Sequence, residues 1–292
     1  MLDPTCQHCF AVRDYDLAAT LKSGQAFRWV ERNGWWESVV NHRWVRLQQR
    51  DAGIFADTAA STSDWQWLSD YLQINIDLPS VLRTFPDDEP MRTATTACRG
   101  LRLLRQDPWE CLASFILSST KQIVQIQQIV ALLCERLGDS LVVPNAHAPA
   151  FSFPTAERLA ACAEAELRGC KMGFRAPNLL RTAKMIANRE IDLDRLHSLS
   201  VEDAREGLLK LPGVGNKIAN CVLLFAYGFQ QAFPVDVWVM KALQQLYFPK
   251  RRVSAKRLTR FTATHFGPNA GYAQQYLFHY MRVTRRIGQS TK

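Results

Sequence analysis

Nowhere in the 292 residues do 18 apolar residues run together, and the opening MLDPTCQHCFAVRDYDL has no basic stretch followed by an apolar one. A membrane-spanning helix needs about 20 apolar residues and a secretory leader needs that basic-then-apolar order, so neither a membrane span nor export is expected. Cysteine is scarce for a disulfide scaffold, eight in the whole chain, and most of the eight fall in apolar helical contexts where a free thiol packs as a small hydrophobe. A reducing, intracellular setting follows. Cys6 and Cys9 form a CxxC, but no second CxxC or HxxxH pair completes a four-ligand zinc site, so no metal and no other cofactor is expected. Those two thiols read as part of a loose terminus. Repeats of solenoid period and low-complexity tracts are also missing.

What is present is a folded chain with a basic balance. Hydrophobic residues make up 47% and charged residues 22%, which argues against disorder and gives enough apolar surface for one large core or two modest ones. Lys and Arg outnumber Asp and Glu by 36 to 27, and the net charge of +9 favours a polyanionic partner.

The pattern changes near residue 95. Six of the eight tryptophans (29, 35, 36, 44, 65 and 67) precede residue 70, among short β-type runs QAFRWVER, GWWESVV, RWVRLQQ and GIFAD, with Asn33-Gly34 as a hairpin turn. A helix is expected at STSDWQWLSDYL. Beyond DLPSVLRTFPDDEP the periodicity is helical almost throughout, as in PWECLASFILSSTKQIVQIQQIVALLCERLG. The expected class is α+β: an antiparallel β module with a helix over 10–96, packed on a mainly α-helical body over 97–292.

Within that body, SVEDAREGLLKLPGVGNKIANCVLLFAYGF reads as two helices joined by a tight turn, a hairpin over about 200–228. Ser200 can cap the first helix, and Pro212 should stop it near Leu211. Gly213 and Gly215 let the backbone turn sharply, and the second helix, from Asn216, offers unclaimed amides at its positive end. Such a turn suits a phosphate of a nucleic acid backbone. Lys217 sits in the first turn of that helix, ahead of an apolar run. The helix dipole and partial dehydration both favour its neutral amine, the form that attacks an electrophilic carbon and closes a Schiff base. A solvated charge or a phosphate contact is the plainer alternative. In AFPVDVWVMKALQQL, Asp236 is placed as the N-cap of a helix beginning at Val237, and a carboxylate so fixed can also stabilise positive charge on a sugar. Lys217 and Asp236 are 19 residues apart, one helix and one loop, and can meet in one cleft.

LPGVGNK, the downstream PVD, the upstream GLRLLRQDPWECLASFI and the N-terminal LKSGQAFRW together resemble 8-oxoguanine DNA glycosylase, from about residue 15 to about residue 282. The hairpin and aspartate alone mark the wider superfamily of base-excision glycosylases; the other two motifs narrow it. The resemblance implies a helix-hairpin-helix glycosylase core acting on duplex DNA containing 8-oxoguanine, as a monomer. It implies that Lys217 attacks the sugar of a flipped nucleotide, expels the base and holds the sugar as an imine that eliminates the 3′ phosphate, with Asp236 stabilising the sugar cation. Cys221, one turn after Lys217, would pack on the extruded base; Phe278 would stack on its other face, and Gln274 would bond its Watson-Crick edge. The Gly24 carbonyl would accept the N7 hydrogen that 8-oxoguanine has and guanine lacks. Phe174 and Arg175, in KMGFRAPNLL, stand where the family inserts an aromatic wedge and an arginine beside the lesion. From the residues alone, Phe278 could be core, Gln274 solvated, Cys221 packing, Gly24 a turn and Phe174 a loop anchor.

Departures from the pattern bear on specificity. Where familiar members read SSNNNIAR this chain reads SSTKQIVQ, so Thr120 replaces the asparagine that fills the gap left by the flipped base, and Gln125 replaces an arginine that contacts the opposite cytosine. Trp238 stands where eukaryotic members have a histidine two residues after the aspartate, so that histidine's phosphate contact is not carried over. A strict preference for cytosine opposite the lesion is therefore not expected. No cysteine follows Cys221, which excludes the iron-sulfur relatives that carry four cysteines near the C-terminus. The remaining alternatives are a monofunctional alkylpurine glycosylase, which lacks the lysine, and a damage-sensing DNA-binding protein without turnover.

Overall fold

The computed structural model describes residues 6–119, 122–249 and 253–290. An N-terminal strand β1 (Gln7–Phe10) and helix α1 (Leu17–Lys22) lead into β2 (Val30–Arg32), β3 (Trp35–Val40), β4 (Arg43–Arg50) and β5 (Gly53–Thr58). These five strands form one antiparallel sheet in the order β1-β5-β4-β3-β2. Trp36, Val40, Val45, Leu47, Ile54 and Ala56 alternate onto its inner face, and α1 and α2 (Gln66–Leu72) pack there. The Asn33-Gly34 turn is where the sequence puts it, both residues at positive φ.

Two local expectations are corrected. The run QAFRWVER becomes strand only from Val30, because Gln25 and Trp29 are buried in irregular backbone by side-chain bonds. The terminus is not loose: β1 pairs along β5, with Cys9 opposite Phe55, and Cys6 is buried. Both thiols are free, and the described residues contain no group of three or more His, Cys, Asp or Glu able to hold a metal.

The rest is helical apart from a two-stranded ribbon. Helices α3 (Leu78–Leu82) and α4 (Glu89–Ala97) start behind Asp77 and Asp88 caps. Next come α5 (Pro108–Leu117) and α6 (Ile123–Leu137), so the stretch read as helical from the sequence holds two helices. Strands β6 (Ser140–Leu141) and β7 (Ala150–Phe151) precede α7 (Ala156–Ala160), α8 (Glu164–Gly169) and α9 (Ala176–Ala187). The hairpin follows as α10 (Val201–Leu209) and α11 (Asn216–Val222), then α12 (Val237–Leu246), α13 (Ala255–His265) and α14 (Ala270–Ser290). Leu78, Met91 and Ala94 pack into the large helical core, so the segment read from sequence as the end of the β module belongs, in packing, to the body. Among the described residues no helix is long and apolar enough to cross a membrane.

The two parts are tied by Gln25, which is fully buried. Its Nε2 donates to the carbonyls of Thr20 (3.0 Å) and Arg102 (2.8 Å), and its Oε1 accepts from the Leu104 amide (2.7 Å). The Gln106 side chain returns a bond to the Gln25 carbonyl at 2.7 Å. Every polar atom of that amide is satisfied, as burial requires. The SGQ turn is thereby fixed to LRLLRQ, and Gly24 with it.

Candidate active site

The hairpin forms as its capping chemistry dictates. The Ser200 hydroxyl accepts from the Asp203 amide at 3.1 Å, and α10 ends at Leu209, ahead of Pro212. Gly213 has φ +80° and is exposed; a Cβ there would meet Asn178 Cβ at 3.0 Å, so the turn against α9 favours glycine. Thr182 of α9 holds the turn by donating to the Pro212 carbonyl at 3.0 Å. Gly215 is the N-cap of α11 and offers no side chain to the first-turn amides, which leaves them for an external acceptor. After Val222 the helix widens into a π turn over Leu223–Tyr227, and the Phe225 carbonyl accepts from the Gln106 amide at 2.8 Å.

Along one face of α11 and its extension stand Lys217, Cys221 and Phe225, at the i, i+4, i+8 spacing that aligns them. Asp236 caps α12: its Oδ1 accepts from the amides of Trp238 (2.9 Å) and Val239 (2.8 Å), and Oδ2 takes no part in the cap. From α14 come Gln274 and Phe278, again one turn apart. These residues, with Gly24, Phe115, Pro234 and Gln275, line a cavity of about 50 Å³. The six residues that the resemblance assigns to catalysis and base reading, Gly24, Lys217, Cys221, Asp236, Gln274 and Phe278, thus surround one space.

Polarity in this space is uneven. Gln274 is 3% exposed and its Oε1 has no hydrogen-bond partner, a cost normally tolerated only where a ligand or water completes the bond. Burial pushes the Cys221 thiol up to about 11, and the Asp236 carboxylate adds to this while the Lys217 ammonium opposes it. Cys221 is therefore protonated at neutral pH and offers a polarisable wall, not a nucleophile. The Lys217 Nζ donates to Ser118 Oγ at 2.9 Å and lies 5.1 Å from the centre of the Phe115 ring. Gly24, at φ +81°, sits where a Cβ would come within 2.8 Å of Ile123 Cδ1 and 3.4 Å of Phe278 Cε1. A larger cleft of about 740 Å³ at the other end of α5 is less suited to chemistry: Asp107 caps α5, Glu110 pairs with Arg28, and Asp192 accepts two amides.

The remaining predicted contacts lie outside the cavity. Phe174 is 63% exposed, with the Arg175 guanidinium 4.2 Å from the centre of its ring. Arg175 is turned inward, 3% exposed, with its guanidinium on the Ser119 carbonyl and 3.4 Å from that of Met172. The Ser119 carbonyl lies just past the C-cap of α5, so Arg175 ties that segment to the turn before α9. Gln125 is exposed, and its Oε1 accepts from the Gln122 amide at 3.2 Å, closing the start of α6. Thr120 lies outside the described residues. Ser118, Phe115, Phe225, Pro234 and Gln275 escaped the sequence analysis, since each sits in an apolar or loop context that gives no chemical signal.

A lysine beside a buried amide with an unpartnered oxygen, behind a glycine hairpin, is the arrangement of a base-excision enzyme. The family model described as HhH-GPD superfamily base excision DNA repair protein matches residues 113–267, and that of the 8-oxoguanine DNA glycosylase N-terminal domain matches 9–112. Among curated relatives, the probable N-glycosylase/DNA lyase of Methanothermobacter thermautotrophicus is 29% identical over 96% of this chain and 98% of its own length. The N-glycosylase/DNA lyase of Saccharomyces cerevisiae is 30% identical over 79% of this chain and 68% of its own. The solved structure of Clostridium acetobutylicum 8-oxoguanine glycosylase/lyase, with double-stranded DNA containing cytosine opposite 8-oxoguanine, superposes with a TM-score of 0.87 at 31% identity over 93% of both chains. The chain belongs to the 8-oxoguanine DNA glycosylase family of the HhH-GPD superfamily.

Proposed function

We propose that this protein is a bifunctional DNA glycosylase and AP lyase that excises 8-oxoguanine from duplex DNA in base excision repair. The observation that carries the reading is the single cavity shared by Lys217, Asp236, Cys221, Gln274, Phe278 and Gly24. Its volume of about 50 Å³ is well below the roughly 300 Å³ at which ligand pockets begin, so entry of a flipped base requires Phe278, the half-buried wall, to move.

Chemically, the Lys217 lone pair forms a bond to C1′ as the C1′–N9 bond breaks, its electron pair leaving with the base, which takes a proton. Asp236 Oδ2 stabilises the positive charge that builds on the sugar. Loss of a proton from Nζ and opening of the C1′–O4′ bond give the imine; removal of a C2′ proton then expels the 3′ phosphate. Gln274 bonds the base edge, and the Gly24 carbonyl accepts the N7 hydrogen. The exposed Gly213–Gly215 turn binds a backbone phosphate, and Phe174 fills the stack beside the lesion. Borohydride trapping on an 8-oxoguanine:cytosine duplex tests the whole scheme: a covalent adduct is expected, while no adduct from folded protein would favour the monofunctional or non-catalytic alternatives.

Two narrower outcomes follow. In Gly24→Ala, the strained φ and the added methyl displace the base reader, so 8-oxoguanine excision is expected to fall about tenfold or more, on the scale of a small misplacement near the reacting atoms. Strand cleavage at a preformed abasic site, which has no base to read, should fall far less; an equal loss on both substrates would assign Gly24 to folding alone. For the opposite base, Gln125 stands where the family has an arginine, and its amide oxygen is already engaged in capping α6. Excision rates opposite the four bases are expected to agree within about tenfold, since one good bidentate contact gives about 1–3 kcal/mol of discrimination and none is present in Gln125. A strong preference for cytosine in that comparison would contradict the assignment.

A further inference from the structure

We infer that Ser118 is the positioning residue for Lys217, fixing its amine at the cavity wall and leaving its lone pair available for attack; this rests on the lysine chemistry proposed above. Helix α5 ends at Leu117, and Ser118 is its C-cap. The Ser118 hydroxyl donates to the Phe115 carbonyl at 2.7 Å, an acceptor at the helix end that also takes the Ser118 amide at 3.1 Å. With its one proton committed there, Ser118 Oγ has only lone pairs to offer, and Lys217 Nζ donates to it at 2.9 Å. A hydroxyl that was free to rotate could instead donate to the amine and tie up the electron pair that forms the bond to the sugar. The Phe115 carbonyl prevents that.

The same turn of α5 supplies a second contact, the Phe115 ring, 5.1 Å from Nζ. The lysine stem, with four rotatable methylenes, is therefore held at its tip by a hydroxyl and a ring from one rigid element. Fixing a flexible nucleophile in this way lowers the entropic cost of reaching the attack geometry, and a displacement of about 1 Å can cost about a hundredfold in rate.

The test is single-turnover excision and borohydride trapping by the full chain with Ser118→Ala and Ser118→Thr, at saturating enzyme on an 8-oxoguanine:cytosine duplex, with lesion-duplex affinity and Tm measured alongside. Ser118→Ala is expected to bind the duplex as the native protein does and to excise about ten- to a hundredfold more slowly, whereas Ser118→Thr, which keeps the hydroxyl, recovers most of the rate. A hydroxyl acting only in packing would not give this split between rate and affinity. Native rate in Ser118→Ala, or a Ser118→Thr protein as slow as Ser118→Ala at unchanged Tm, would overturn the assignment. If the native protein itself forms no adduct, it is the lysine chemistry that fails and not the role of Ser118 within it.

Discussion

Lys217→Gln is expected to form no borohydride-trapped adduct and to lose excision by about 10⁴-fold or more, the scale on which removal of a nucleophile acts. The side chain is half-buried and packs on Phe115 and Ser118, and glutamine retains a donor for Ser118 Oγ, so Tm should change little. Binding to lesion DNA should persist, because the Gly213–Gly215 turn, Phe174 and Gln274 are untouched. The measurement is gel-resolved trapping beside a binding titration on the same duplex. An adduct surviving in Lys217→Gln would transfer the nucleophile to another amine. Base release without strand cleavage in that variant would mean that water can replace the amine and that the lysine serves the lyase step alone.

Asp236→Asn separates the two roles of one carboxylate. Asparagine caps helices about as well as aspartate, so the bonds now made by Oδ1 to the amides of Trp238 and Val239 survive in the variant, and stability should hold within a few tenths of a kcal/mol. The charge facing the sugar is gone, and excision is expected to fall about 10²–10³-fold, typical for loss of one preorganised electrostatic group. Asp236→Ala should show the same catalytic loss plus about 1 kcal/mol of destabilisation from the missing cap. Thermal unfolding and single-turnover excision on both variants decide it. Near-native excision by Asp236→Asn would reduce the residue to a cap.

How much of this was legible beforehand depended on whether the signal was local. The capped starts at Ser200 and Asp236 and the helix after Gly215 follow from side chains bonding to nearby amides, and they fold where the sequence puts them. The β module was legible through alternation, apart from β1, whose QHCF is too short to carry a period and becomes a strand only because β5 offers it an edge. The set of residues around the cavity came from the joint match of distant motifs. The tie of Ser118 to Lys217 and the inward turn of Arg175 could not be foreseen, since each depends on a contact between segments far apart in the chain. The Gln25 knot was equally silent: glutamine in a loop ordinarily means solvent, and its partners lie about 80 residues away.

Contributions of α14 to the cavity give the enzyme an order of assembly. Chains emerge at about 5–20 residues per second, so the 61 residues between Lys217 and Phe278 take roughly 3–12 s to appear. Through that interval a nascent chain carries its nucleophile and its hairpin but has neither Gln274 nor Phe278 to choose a base. The amine and the complete wall of the cavity coexist only once α14 has docked, and a chain truncated ahead of Gln274 would keep Gly24 but lose the two side chains that hold a base against it.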